Sequence, residues 1–278
     1  MKKLIYIFSV ILLIQACSSE HVVYQNQWKK IFDEYQIDSA CFELTDNTHD
    51  KVYLYNLPMC SRQVCPASTF KIFSSLVALE SNVAKDENLV IPWDGTMRRA
   101  AWDKDMNMRE ALKVSNLPFY QELVRRIGHT EMKKWIDSVR YGNKNIAGKE
   151  DEFWLNDSLK ISPDEQVGFI KKLYFDKLPF SQRAQRIVRS MMLQEDTENY
   201  KLYYKTGTRQ DEQRVRAWLV GFVERKEEQK GVKTNKMETH YRPYFFALYI
   251  DSKERGFDLM ESRKTILKTI LKEQNIIK

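Results

Sequence analysis

CPASTFK, residues 65–71, places Ser68 and Lys71 one helical turn apart, just after Pro66. Residues at i and i+3 of a helix share a face, so the amine can reach the hydroxyl. Phe70, Ile72 and Phe73 flank the lysine and predict burial for it. A serine becomes a nucleophile only when a base removes its proton, and burial lowers a lysine's pKa towards that role. Alone, S-x-x-K is a weak signal, because Pro66 and Ser68 also suit an ordinary capped helix start.

Working outward, residues 39–44 (SACFEL) and 51–56 (KVYLYN) read as two strands joined by a polar turn. A helix is predicted over 68–80, with Phe70, Phe73, Leu76, Val77 and Leu79 as its apolar face. Helices follow at 108–114, 118–127, 130–139, 163–173 and 181–193. Strand character returns at 202–204, 217–223 and 244–250, and a helix closes the chain over 258–274. This order predicts one sheet built from both ends of the chain, with a helical block inserted as a second lobe and a cleft between them.

The chain has 278 residues, 43% hydrophobic and 30% charged, as a folded enzyme-sized protein requires. Its net charge of +7 is dispersed. The richest stretch, ERKEEQKGVKTNK at 224–236, alternates both signs and reads as a solvated loop, which excludes a nucleic-acid patch. The four histidines stand apart and no Cys/His group has ligand spacing, so no metal is expected.

The leading residues have the form of an export signal: Lys2 and Lys3, an apolar run over 4–14, then Ile14-Gln15-Ala16-Cys17. We expect residues 1–16 to be a signal peptide and Cys17 to be lipidated, giving an exported, periplasmic, membrane-anchored lipoprotein of a Gram-negative bacterium. Loss of Lys2 and Lys3 takes the net charge from +7 to +5. Three cysteines remain, Cys41, Cys60 and Cys65, and an exported setting permits one disulfide with one thiol left over.

Two further motifs change the weight of Ser68 and Lys71. Lys205-Thr206-Gly207 lies between two apparent strands, and Ser115-Asn116-Leu117 ends a short helix. S-x-x-K, a serine triplet and K-T-G occur together in penicillin-binding proteins and serine β-lactamases. The order here is the same.

From about residue 41 to 266 the sequence resembles the class D (oxacillinase-type) serine β-lactamases. The resemblance rests on PASTFK (66–71), WDGTMRRAAWDKDMNMREALKVS (93–115), YGN (141–143), FWLNDSLKISPDEQ (153–166), KTG (205–207) and WLVGFVE (218–224). It implies an α/β fold of two lobes, related to penicillin-binding transpeptidases: an antiparallel sheet flanked by terminal helices, plus an inserted all-helical lobe. Residues 17–278 would form one domain, with a sheet lobe of about 20–66 and 198–278 and a helical lobe of about 67–197.

The resemblance also implies β-lactam hydrolysis, and thereby antibiotic resistance. Ser68 would form the acyl-enzyme, and Lys71, carboxylated by CO2 or bicarbonate, would be the general base. The indole of Trp154 would hold the carbamate. Ser115 would relay a proton, and Lys205 would supply positive potential. Thr206, Gly207, Thr208 and Arg255 would bind substrate, with the backbone N–H groups of Ser68 and Thr208 as oxyanion donors. Leu117 departs from the family's usual valine and adds bulk near the carbamate. Small β-lactams would be the partners.

Three rival readings use the same residues. Glu152, in an E-x-x-L-N pattern, would be the deacylating base if the chain followed class A enzymes. A β-lactam sensor or a D,D-transpeptidase or carboxypeptidase would acylate on Ser68 and barely deacylate.

Overall fold

The computed structural model describes residues 21–231, 236–253 and 258–278. The signal peptide, Cys17 and Arg255 lie outside the described residues. The chain begins with β1 (His21–Tyr24), α1 (Lys29–Glu34), β2 (Ala40–Asp46), β3 (Lys51–Tyr55) and α2 (Leu57–Cys60). A 3-10 turn, Ala67–Thr69, leads into α3 (Phe70–Glu80). Then come β4 (Val90–Ile91), β5 (Met106–Asn107), α4 (Met108–Lys113), α5 (Leu117–Ile127), α6 (His129–Val139), α7 (Pro163–Tyr174) and α8 (Gln182–Met191). The final part is β6 (Leu193–Asp196), β7 (Tyr200–Gln210), β8 (Arg214–Lys230), β9 (Met237–Lys253) and α9 (Leu259–Glu273).

The main sheet has seven strands in the order β1-β3-β2-β9-β8-β7-β6. Strands from both ends of the chain therefore meet at β2 and β9, as the sequence order predicts. Every pairing is antiparallel except that of β1 with β3, which is parallel. Four residues of mixed polarity with no turn signal gave β1 no mark in the sequence.

Both faces of the sheet are covered, which explains the continuous apolar run of β9. Phe246, Leu248 and Ile250 pack with Trp28, Phe32, Ile266 and Ile270 of the terminal helices. Phe245, Ala247 and Tyr249 face the second cluster, built on Phe70, Phe73, Leu76 and Ile170. A strand buried on both sides loses the polar alternation of a half-exposed one. Helix α3 is enclosed in the same way: ten of its eleven residues, Phe70 to Leu79, are buried. Among the described residues no helix is long and apolar enough to cross a membrane.

Residues 224–230 are not part of the solvated loop that the charge pattern predicts over 224–236. Strands β8 and β9 continue outward as a hairpin, in register as far as Lys230 and Met237. Alternating charge is compatible with a two-stranded ribbon because opposite charges meet across it: Arg242 Nε lies 2.7 Å from Glu227 Oε2. The permitted disulfide is also absent. Cys41, Cys60 and Cys65 are free and buried. Cys65 Sγ donates to the carbonyl of Trp154 at 3.0 Å and Cys60 Sγ to that of Tyr55 at 3.7 Å, so these two thiols are directed to different parts of the chain.

Candidate active site

Ser68 sits on the 3-10 turn rather than in the helix proper, and Lys71 lies in the first turn of α3. The preceding residue, Ala67, has φ 48°, a left-handed conformation that costs a non-glycine residue of the order of 1 kcal/mol or more. Neighbours hold the turn in place. Trp218 Nε1 of β8 donates to Cys65 O at 2.9 Å. Thr69 Oγ1 donates to Pro66 O at 2.7 Å, and Gln166 Nε2 of α7 donates to Thr69 Oγ1 at 2.9 Å. Strand β7 completes the frame. A Cβ on Gly207 would come 3.0 Å from Pro66 O and 3.2 Å from Thr69 Cγ2, so glycine lets the strand approach the serine turn closely.

Within that frame Lys71 Nζ lies 2.7 Å from Ser68 Oγ. It lies 3.4 Å from Ser115 Oγ and 3.3 Å from Ser115 O. Lys205 Nζ reaches Ser115 Oγ from the other side, at 2.9 Å. Ser115 also occupies the left-handed region, with φ 58°, at the junction between α4 and α5. The structure thus brings together four residues that the sequence spreads from 68 to 205, with the Ser115 hydroxyl between two amines.

The electrostatics of this cluster are one-sided. Lys71 is 1% exposed, Lys205 4% and Arg263 6%. Burial brings the Lys71 amine down to about 7. Burial, then the charges of Lys71 and Arg263, brings Lys205 well below the usual lysine range. Burial brings Arg263 down to about 10. The hydrogen bonds of Lys71 and Lys205 go only to hydroxyl and carbonyl oxygens among the described residues.

A cavity of about 470 Å³ opens over Ser68, with Ser115, Leu117, Thr206 and Thr208 in its lining. Leu117 shares it with Leu155, giving an apolar wall beside the polar one. Gly207 contributes through its backbone, since its carbonyl accepts from Arg263 Nη1 at 2.7 Å. Trp154 is 1% exposed and stacks on Phe70 with ring centroids 5.3 Å apart, and its Nε1 has no hydrogen-bond partner among the described residues. Glu152 is directed elsewhere: it pairs with Lys149 at 3.1 Å with its side chain 38% exposed.

Arg255 lies outside the described residues, and the buried arginine that the structure brings to the cavity is Arg263 of α9. Its Nη1 donates to Gly207 O, to Thr208 Oγ1 at 2.9 Å and to Trp218 O at 3.2 Å, and its Nε is buried without a partner among the described residues. A signal for it exists in the sequence. Arg263 lies three, four and seven residues before Ile266, Leu267 and Ile270, on the buried stripe of the helix. Charged neighbours such as Glu261, Lys264 and Lys268 mask that stripe.

With this geometry in view, the comparisons with known proteins are specific. The family model "Penicillin binding protein transpeptidase domain" matches residues 15–243. Beta-lactamase OXA-48 of Klebsiella pneumoniae is 36% identical over 251 residues, covering 90% of this chain and 88% of its own. "Probable beta-lactamase YbxI" of Bacillus subtilis is 34% identical over 286 residues, covering 100% and 99%. The crystal structure of the class D β-lactamase from Sebaldella termitidis superposes with a TM-score of 0.84 at 34% identity, over 94% of this chain and all of that one. The fold is that of a penicillin-binding transpeptidase domain. Within that group, the chain belongs to the class D serine β-lactamases.

Proposed function

We propose that this protein hydrolyses β-lactams through a Ser68 acyl-enzyme, with Lys71 carboxylated on its amine as the base for both halves of the reaction. The observation that carries the reading is Lys71 itself, fully enclosed and 2.7 Å from Ser68 Oγ, with its amine brought to about 7. Only an unprotonated amine takes up CO2, and this pocket favours that form.

The surroundings fit an anion at Lys71. Three buried basic groups share the site, and an anion beside Lys205 would turn repulsion into attraction. The Trp154 N–H, buried and without a partner among the described residues, is a donor of the kind a buried anion requires. A carbamate on Lys71 supplies an oxygen base that remains unprotonated at neutral pH.

The side chains then divide the work. Ser68 Oγ loses its proton towards Lys71 and attacks the lactam carbonyl, whose oxygen is received by the backbone N–H groups of Ser68 and Thr208. The carbonyl–nitrogen bond breaks as the nitrogen takes a proton from Ser115, which recovers one from Lys71, so the proton of Ser68 ends on the nitrogen and the base is restored. Lys205, 2.9 Å from Ser115 Oγ, favours that transfer by its position. Thr206, Thr208 and Arg263 hold the carboxylate on the substrate's second ring. Lys71 then takes a proton from water as the water oxygen attacks the ester, and returns it to Ser68 Oγ as the ester bond breaks. The placement of Glu152 in a surface pair with Lys149 gives it no part in this scheme.

The test is turnover of benzylpenicillin in molar excess, in bicarbonate buffer, by the mature protein and by Ser68→Ala. Loss of lactam well beyond one equivalent with the wild type and none with the variant is expected. A wild-type reaction that stops at one equivalent would establish a sensor or transpeptidase that traps its acyl-enzyme.

A further inference from the structure

Among the described residues, the cavity over Ser68 is lined by Arg99, Lys113 and Arg263 and by no acidic residue. A monoanionic β-lactam needs one of these cations. Arg263, with Thr206 and Lys113, also borders the adjoining cavity of about 120 Å³, whereas Arg99 does not. Arg99 thus adds positive charge to the part of the wall outside that smaller cavity.

Its side chain is exposed and rests on an aromatic ring. The Arg99 guanidinium lies over the Trp102 ring, 4.6 Å from the centroid. Trp102 Nε1 donates to Val114 O at 3.0 Å, and Asn116 Nδ2 donates to Trp102 O at 3.3 Å. Trp102 is thus tied to both neighbours of Ser115. Stacking on that ring holds the guanidinium beside the relay serine while leaving its N–H edge for an anion. The adjacent Arg98 is consumed by Asp94 at 2.7 Å, but Arg99 makes no ion pair with a described residue.

We infer that Arg99, seated on Trp102, selects β-lactams whose acyl side chain carries a second acidic group. The inference rests on the β-lactamase reading, in which Arg263 and Thr208 take the ring carboxylate. A second carboxylate, on the acyl side, then meets Arg99 in a cavity wall where no described residue is acidic.

The experiment compares kcat/KM for α-carboxybenzylpenicillin and benzylpenicillin, which differ by one side-chain carboxylate, at low and high salt. Arg99→Gln should lower the ratio of the two about two- to fivefold, the scale of an exposed ion pair. Arg99→Lys should restore part of it. Added salt should reduce the wild-type ratio and leave that of Arg99→Gln nearly flat. A ratio unchanged in Arg99→Gln, or an equal loss for both substrates, overturns the inference and leaves Arg99 as packing for Trp102. If neither compound is consumed beyond one equivalent, the hydrolytic reading has failed. The same ratio, read from acylation rates, still decides the role of Arg99.

Discussion

Lys71 Nζ lies 2.7 Å from Ser68 Oγ while its residue is 1% exposed, so the amine next to the serine is held where its charged form is disfavoured. The amine's ordinary value of 10.5 falls to about 7 for that reason. Below about 7 the amine is protonated, and can neither accept the Ser68 proton nor take up CO2.

The pH profile of β-lactam hydrolysis should follow from this. Activity should fall as pH drops through about 7, and bicarbonate should restore it above that value but not far below it. Trp154→Phe keeps an aromatic ring against Phe70 and removes the partnerless N–H, so it should raise the bicarbonate concentration needed for half-maximal activity. Initial rates across pH and bicarbonate check both. A Trp154→Phe protein with an unchanged bicarbonate requirement would remove the indole from the scheme.

The same burial sets a stability cost. The folded pKa lies below the unfolded one, so between about 7 and 10.5 the unfolded chain binds more protons and stability rises with pH. The penalty is complete at and below about 7. Lys71→Met removes it at similar volume. The variant should be inactive yet melt a few degrees higher, with the largest gain near pH 6 and the smallest near pH 10 in bicarbonate-free buffer. Thermal melts at the two pH values measure the difference, and an equal shift at both would contradict the assignment.

Arg263 is the second buried cation with a task. Loss of a charged hydrogen-bonding partner for the substrate carboxylate should raise KM by about tenfold or more in Arg263→Ala. The same change strips a donor from Gly207 O and Trp218 O, so a fall in Tm should accompany it. Steady-state kinetics alongside melting curves separate the effects. Arg263→Lys, retaining charge without the fork, should recover part of the KM.

Much of the site is legible in the amino-acid sequence, because its chemistry is local. Ser68 and Lys71 share a face by helical spacing alone, and Lys205-Thr206-Gly207 is recognisable as a motif although it lies within β7 rather than between two strands. Residues whose roles are set at a distance are less visible. Arg263 is hidden among surface charges on α9, and Arg99 matters only because Trp102 carries it to the cavity. The outer hairpin of β8 and β9 escapes a sequence reading because charged strands outside a core leave no apolar period.

The sequence by itself determined the longer helices, the central strands and their division about a helical insertion, and the pairing of Ser68 with Lys71 at the entry to α3. Those follow from short-range periodicity and the steric needs of proline and glycine. Only the tertiary structure decided that Ser115 stands between Lys71 and Lys205, that three buried thiols stay unbridged, and that Lys71 and Arg263 are desolvated together. Burial and charge proximity are properties of residues far apart in the chain, and the pKa values on which this chemistry depends exist only once those residues meet.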